Sequence, residues 1–155
     1  MRVVLDTNVW VSGLAFPDGP PGRIVEAVRT KELRALASWA LAEEIVDVLG
    51  RPAMRELGIK SRMIIEVLFL LAPVLPDVES PVPERDPRDA RVVSSALASA
   101  ADAIVTGDDD LLGDANLRAL LAEKGIEVIT PRGTLARLPG GGSPRRGGGG
   151  ARRPR

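Results

Sequence analysis

Met1-Arg2-Val3-Val4-Leu5-Asp6-Thr7-Asn8-Val9-Trp10 runs a short apolar stretch straight into an acid, and a hundred residues later Ala103-Ile104-Val105-Thr106-Gly107-Asp108-Asp109-Asp110 does the same. Short continuous apolar runs fit strands buried on both faces. Working outward, Arg2–Leu5, Leu33–Ser38, Val74–Leu75, Ile104–Thr106 and Ile126–Ile129 read as strands. Arg23–Thr30, Leu41–Leu49, Ser61–Ala72, Pro87–Ala100 and Leu117–Lys124 read as helices, with Gly50 and Pro52 ending the second of them. Thr7–Gly22 reads as a loop or short helix, and Glu79–Arg85 as a polar loop punctuated by proline. Strands alternating with helices predict an α/β fold, a parallel sheet covered on both faces by right-handed crossovers. In such sheets ligands collect at the carboxyl ends of strands, beside a switch in strand order. Asp6 and Asp108 lie just beyond two such ends.

The 155 residues are enough for one domain with one good core. No stretch is long and apolar enough to span a bilayer, and the N-terminus reads as a strand rather than a signal peptide, so the expected location is the cytoplasm. Without cysteine there is no disulfide and no thiolate metal site. Without histidine the commonest general base and the usual zinc ligand are missing, which leaves carboxylates, hydroxyls, amides, Lys and Arg to carry any catalysis. The net charge of zero hides a segregation. Pro139 to Arg155 holds five Arg and no acid, which leaves 16 basic against 21 acidic residues in 1–138. The expected organisation is a folded domain over 1–138 and a Gly/Arg/Pro-rich basic tail over 139–155 that cannot bury a core and reads as disordered.

The acids carry the chemistry. Asp6, in Asp-Thr-Asn, suits an Asx-turn or helix cap as well as a binding site. On Leu41–Leu49 the apolar stripe is Leu41, Ile45, Val48 and Leu49; Glu43 and Asp47 fall opposite it, whereas Glu44 falls at its border. On the helix from Pro87, the stripe of Val92, Val93, Ala96, Leu97 and Ala100 runs back to Asp89, so Asp89 points inward, a costly place for an unpartnered carboxylate. Asp86 there reads as the N-cap with Pro87 at the first helical position. Asp108, Asp109 and Asp110 are more acids than one turn requires. Two unit charges ~4 Å apart repel by about 4 kcal/mol at an effective dielectric near 20, so converging carboxylates need protons or a cation. With oxygen ligands alone, Mg²⁺ or Mn²⁺ is the chemical match.

At Val3-Val4-Leu5-Asp6-Thr7-Asn8-Val9, Glu44-Ile45-Val46-Asp47-Val48-Leu49, Arg85-Asp86-Pro87-Arg88-Asp89 and Ile104-Val105-Thr106-Gly107-Asp108-Asp109-Asp110-Leu111-Leu112, the chain resembles the PIN-domain family, in particular the VapC-like ribonuclease toxins of toxin–antitoxin systems. The resemblance covers residues 1–138 and rests on the order and spacing of these fragments together. It implies a three-layer α/β/α fold around a twisted, mainly parallel sheet of four or five strands. It implies that Asp6, Glu44, Asp89 and Asp108 are the catalytic, metal-binding acids, that Asp110 is a further metal ligand, and that Asn8 and Thr106 support them. It also implies Mg²⁺- or Mn²⁺-dependent cleavage of RNA, an antitoxin protein that blocks the site, and a homodimer, for which Ile64, Ile65, Leu68, Phe69 and Leu71 are available as core or interface. Asp109 and the Arg/Gly tail depart from the family pattern.

Three other readings compete. An Asp after the first strand and a Thr after a later one is similar to phosphoaspartyl proteins, but position 8 is Asn and the three lysines, Lys31, Lys60 and Lys124, fall elsewhere. A non-catalytic protein could bind RNA through the basic tail by counterion release and stacking; the plain alternative for that tail is an extension without a role. A PIN-type nuclease could also act in RNA processing, outside any toxin–antitoxin pair.

Overall fold

The computed structural model describes residues 1–71, 73–80 and 86–140. Among these, β1 (Arg2–Leu5), β2 (Arg34–Ala35), β3 (Ala103–Val105) and β4 (Glu127–Ile129) form one sheet in the order β2-β1-β3-β4, every neighbouring pair parallel. Val3, Val4 and Leu5 of β1 and all three residues of β3 are buried, as the unbroken apolar runs require of strands covered on both faces. Leu5 pairs with Val105, and Val105 with Ile129, so three strands end level with one another. From β1 the chain builds β2 on one side, then crosses to build β3 on the other. The switch in strand order therefore lies between β1 and β3, with Asp6 and Thr106 at its mouth.

The helices are α1 (Thr7–Ala15), α2 (Pro20–Arg29), α3 (Trp39–Leu49), α4 (Pro52–Glu56), α5 (Ser61–Leu70), α6 (Pro87–Ser99), α7 (Asp109–Gly113), α8 (Ala115–Glu123) and α9 (Pro131–Leu135). α6 packs on β1 and β3 and touches α3, α8 packs on β4, and α2 lies between α1 and α9. The α1–α2 approach and the turn that joins the two helices each need a glycine. A Cβ on Gly22 would sit 2.1 Å from the Pro17 carbonyl oxygen, and one on Gly13 would sit 2.7 Å from that of Pro21.

Several boundaries differ from the sequence reading. Leu33–Ser38 is not one strand. Only Arg34 and Ala35 pair in register with β1, and after the Leu36 N–H bonds to the Val3 carbonyl the chain leaves the sheet edge to start α3. Val74–Leu75 contributes a single parallel bridge, Leu75 to Ser38. Thr7–Gly22 is mostly helical, since Asp6 lets α1 begin at once and the Pro20-Pro21 pair starts α2. Pro52 likewise opens α4 after closing α3. Asp86 caps α6 by accepting the Arg88 N–H, as its place before Pro87 predicts. The ends of two expected segments, Ala72 and residues 81–85, lie outside the described residues, as do 141–155 of the basic tail. Just before the tail, Leu135 is buried and Leu138 packs on the core.

Candidate metal centre

Asp6 continues the β1–β3 ladder by one residue, its N–H donating to the Val105 carbonyl at 3.0 Å. Its carbonyl then accepts the first bonds of α1, from Val9 and Trp10. The side chain does not cap that helix. The residue is only 8% exposed, and its carboxylate instead accepts a 2.8 Å hydrogen bond from the hydroxyl of Thr106, itself fully buried beyond β3. The same hydroxyl oxygen accepts the Asp108 N–H at 3.0 Å. One threonine thus ties the ends of two neighbouring strands together and orients an acid on each. A capping carboxylate bonds to the second or third amide of its helix, whereas the Asp6 carboxylate takes the Thr106 hydroxyl and, at the helix, only the Thr7 N–H.

Asp108 does cap, taking the Asp110 N–H at 2.9 Å as α7 begins, while Asp109 and Asp110 stand exposed in that helix's first turn. Glu44 sits half-buried on α3, with Glu43 and Asp47 exposed on either side of it, as the helical spacing predicts. Its two oxygens have separate partners: Oε1 accepts from the Thr7 hydroxyl at 3.0 Å and Oε2 from Arg91 Nη1 at 2.8 Å. Asp89 lies in the first turn of α6, also half-buried. Asn8 is exposed and forms no side-chain hydrogen bond with the described residues.

Electrostatics join what hydrogen bonds do not. Burial pushes the Asp6 carboxyl above its ordinary pKa, with Asp108 and Glu44 adding to the rise and the bonds from Thr106 and the Thr7 N–H opposing it. Burial pushes Asp89 up to about 6, reinforced by the charges of Asp86, Asp108, Asp6 and Asp110. The structure thus brings Asp6, Asp89, Asp108 and Asp110 within one mutually repelling field and couples Glu44 to it through Asp6. It leaves Asn8 outside. Sequence reasoning missed Thr7 and Arg91. Thr7 was absorbed into an apparent turn. Arg91 lies one helical turn before Ser95, whose hydroxyl bonds to that of Ser38 at the start of α3, and a small polar residue at that spacing is the faint mark of a helix face turned toward α3.

Among the described residues no three acids form, as they stand, a group ready to hold a metal ion. Glu44 is paired with Arg91. The donor chemistry nonetheless suits a divalent ion. The candidate donors are carboxylate oxygens, burial and neighbouring like charge push Asp6 and Asp89 above their ordinary pKa, and a hard cation would relieve that repulsion.

The comparisons bear on the same residues. Residues 2–110, which run from β1 through Asp6, Glu44, Asp89 and Asp108 to Asp110, match the PIN domain. An uncharacterized protein of the archaeon Methanocaldococcus jannaschii is 31% identical over 139 residues, covering 85% of this chain and 88% of that protein. No solved structure matches. The chain belongs to the PIN-domain family, whose members are generally metal-dependent nucleases that act on RNA.

Proposed function

We propose that this protein is a Mg²⁺- or Mn²⁺-dependent endoribonuclease and the toxin of a toxin–antitoxin pair, working in the cytoplasm. The observation that carries the nuclease reading is the Asp6–Thr106–Asp108 arrangement: a buried carboxylate that caps nothing, held beside a second acid at the switch point of a parallel sheet. Asp6, Asp89 and Asp108 would hold the ion, with Asp110 completing its shell and Glu44 joining once released from Arg91. A divalent ion there would supply an activated water and neutralise charge on the scissile phosphate. Thr106 keeps the Asp6 carboxylate facing the site, and Thr7 does the same for Glu44. RNA is then not repelled by the acids, because the cation neutralises their charge.

The toxin assignment rests on the family resemblance. Its partners would be an antitoxin that covers the acidic mouth and a second copy of the chain. Ile65, Leu68 and Phe69 of α5 are exposed and available to such a partner, whereas Leu71 is buried in the core and Ile64 packs against it. A nuclease assay on mixed RNAs, with and without Mn²⁺, tests the enzyme reading: the wild type should cut only with the metal, and Asp6→Asn should not cut. Equal, metal-independent cleavage by both proteins would sink it. Growth arrest on expression, relieved by Asp6→Asn and by a neighbouring small reading frame, tests the toxin role separately; its absence would favour a PIN nuclease of RNA processing.

A further inference from the structure

We infer that the cleft between α2 and α9 is a subsite that grips the backbone phosphates of the RNA strand beside the cut, an inference that rests on the ribonuclease reading. The cleft has a volume of about 350 Å³ and is lined by Asp18, Pro20, Arg23, Arg132, Leu135 and Ala136. Its two guanidinium groups come from different helices and share the cleft with one carboxylate, that of Asp18. Arg29, Arg51, Arg91 and Arg137 are each paired with an acid, but neither Arg23 nor Arg132 forms an ion pair or side-chain hydrogen bond with the described residues. Asp18, the acid of the cleft, is bonded to neither of them.

The position of the cleft gives this pair its meaning. α9 starts directly beyond β4, whose Ile129 carbonyl accepts the Thr106 N–H at 3.0 Å. β4 lies one strand spacing of ~4.8 Å beyond β3, so α9 and its Arg132 leave the same end of the sheet as Asp6 and Asp108. Arg23 lies in the first turn of α2, which runs back toward the start of the parallel strand β2 and therefore begins at the end of the sheet where β1 finishes. The fold thus sets a cationic cleft and an acidic centre on one rim. A metal can hold the scissile phosphate, but it offers nothing to the phosphates on either side. Residues 1–138 carry more acid than base, so those neighbours need local positive charge. Unpaired guanidinium forks meet that need, because they match phosphate oxygens in geometry and are weakly hydrated.

The test is fluorescence anisotropy of a labelled single-stranded RNA with the full chain in EDTA, which blocks cleavage, across a range of KCl. Arg23→Gln/Arg132→Gln should bind more weakly. The slope of log affinity against log salt should flatten by about 0.7 for each phosphate the variant no longer neutralises. Asp18→Asn should shift affinity in the opposite direction, a gain that a damaged fold cannot imitate. Arg55→Gln, on α4 outside the cleft, should leave the slope unchanged. If the double variant keeps the wild-type slope while the wild type still cuts RNA with Mn²⁺, the cleft is not a subsite and the enzyme reading stands. If the wild type neither binds nor cuts RNA, both fall.

Discussion

The two ends of the sheet treat their acids in opposite ways. At the end where β3 begins, Asp102 is exposed, its Oδ2 accepts the Arg2 N–H at 2.7 Å, and the Arg2 guanidinium donates to the Ser99 carbonyl at 2.6 Å. At the end where β1 and β3 finish, Asp6 and Asp89 are sunk beside other carboxylates and are pushed above their ordinary pKa. Burial and like charge both oppose ionisation there, and at Asp6 the bonds from Thr106 and the Thr7 N–H offset only part of that cost. An acid that merely tidies a strand end looks like Asp102. Acids arranged against their own solvation mark a site, since perturbed pKa values gather where function needs them.

The contrast breaks most sharply at Thr106. Thr106→Val removes the hydroxyl that orients Asp6 and anchors the Asp108 N–H, at nearly constant volume. Mn²⁺ affinity, read by titration calorimetry, and RNA cleavage should each fall by about 10–100-fold, the usual cost of losing a group that orients a metal ligand. Thr106→Ser keeps the hydroxyl and should retain most of both. Wild-type metal affinity in the valine variant would remove Thr106 from the site.

Why Thr106 was legible and Arg91 was not is a matter of where the information resides. β1 and β3 announce themselves because a strand buried on both faces needs an unbroken apolar run, and Asp6, Thr106 and Asp108 simply follow those runs. Glu44 and Asp89 follow from helical spacing. β2 was overextended because an edge strand pairs on one side only, so Leu36 and Ala37 stay apolar for the core after pairing has ended. α4, α7 and α9, of five residues each, are too short to show a helical period. The Arg91–Glu44 pair is invisible for a deeper reason: it exists only where α6 crosses α3, and no local pattern encodes a meeting of two helices 47 residues apart in sequence.

Arg91 also sharpens the comparison, as the one cation paired with an acid of the site among the described residues. Its partner Glu44 has a side chain only 9% exposed, while the arginine is 42% exposed. Arg91→Gln would leave a buried carboxylate with the Thr7 hydroxyl alone. With the arginine's exposure discounted, the ion-free protein should lose about 1–2 kcal/mol in urea denaturation. Mn²⁺ should restore more stability to this variant than to the wild type, because Glu44 is then free to serve the ion. An unchanged midpoint would show that the pair is ornamental.

Proton linkage separates the two ends next. Asp89 and Asp6 have folded-state pKa values above their ordinary 3.8, so the stability they contribute is fully present below that value and is lost as pH rises, for Asp89 through about 6. Glu66, held low by Arg29, has the opposite sign, but its contribution is lost only as pH falls below its ordinary 4.5. Between pH 4.5 and 7 the melting temperature of the ion-free protein should therefore drop by a few degrees with rising pH. Asp89→Asn should flatten that slope. Excess Mn²⁺ should raise the melting temperature more at pH 7 than at pH 5, since a ligand of the native state stabilises most where its sites are ionised. A slope unaffected by Asp89→Asn would place the titrating group elsewhere.

The smallest effect belongs to the quiet end. Asp102→Ala removes the side-chain acceptor of the Arg2 N–H and nothing else of the ladder. The Asp102 N–H still donates to the Arg2 carbonyl, and the Asp102 carbonyl still accepts from Glu127. Because the site is exposed, water takes the vacated place, and the cost should stay at or below about 1 kcal/mol, or 2–4 °C in melting temperature for a chain of this size. RNA cleavage and Mn²⁺ affinity should not move, since the buried strands between the two ends carry no charge that could transmit the change. If Asp102→Ala instead lowered cleavage as far as Thr106→Val does, the two ends would be coupled through β1 and β3, and a crowd of strained acids would no longer be enough to tell a working edge from a structural one.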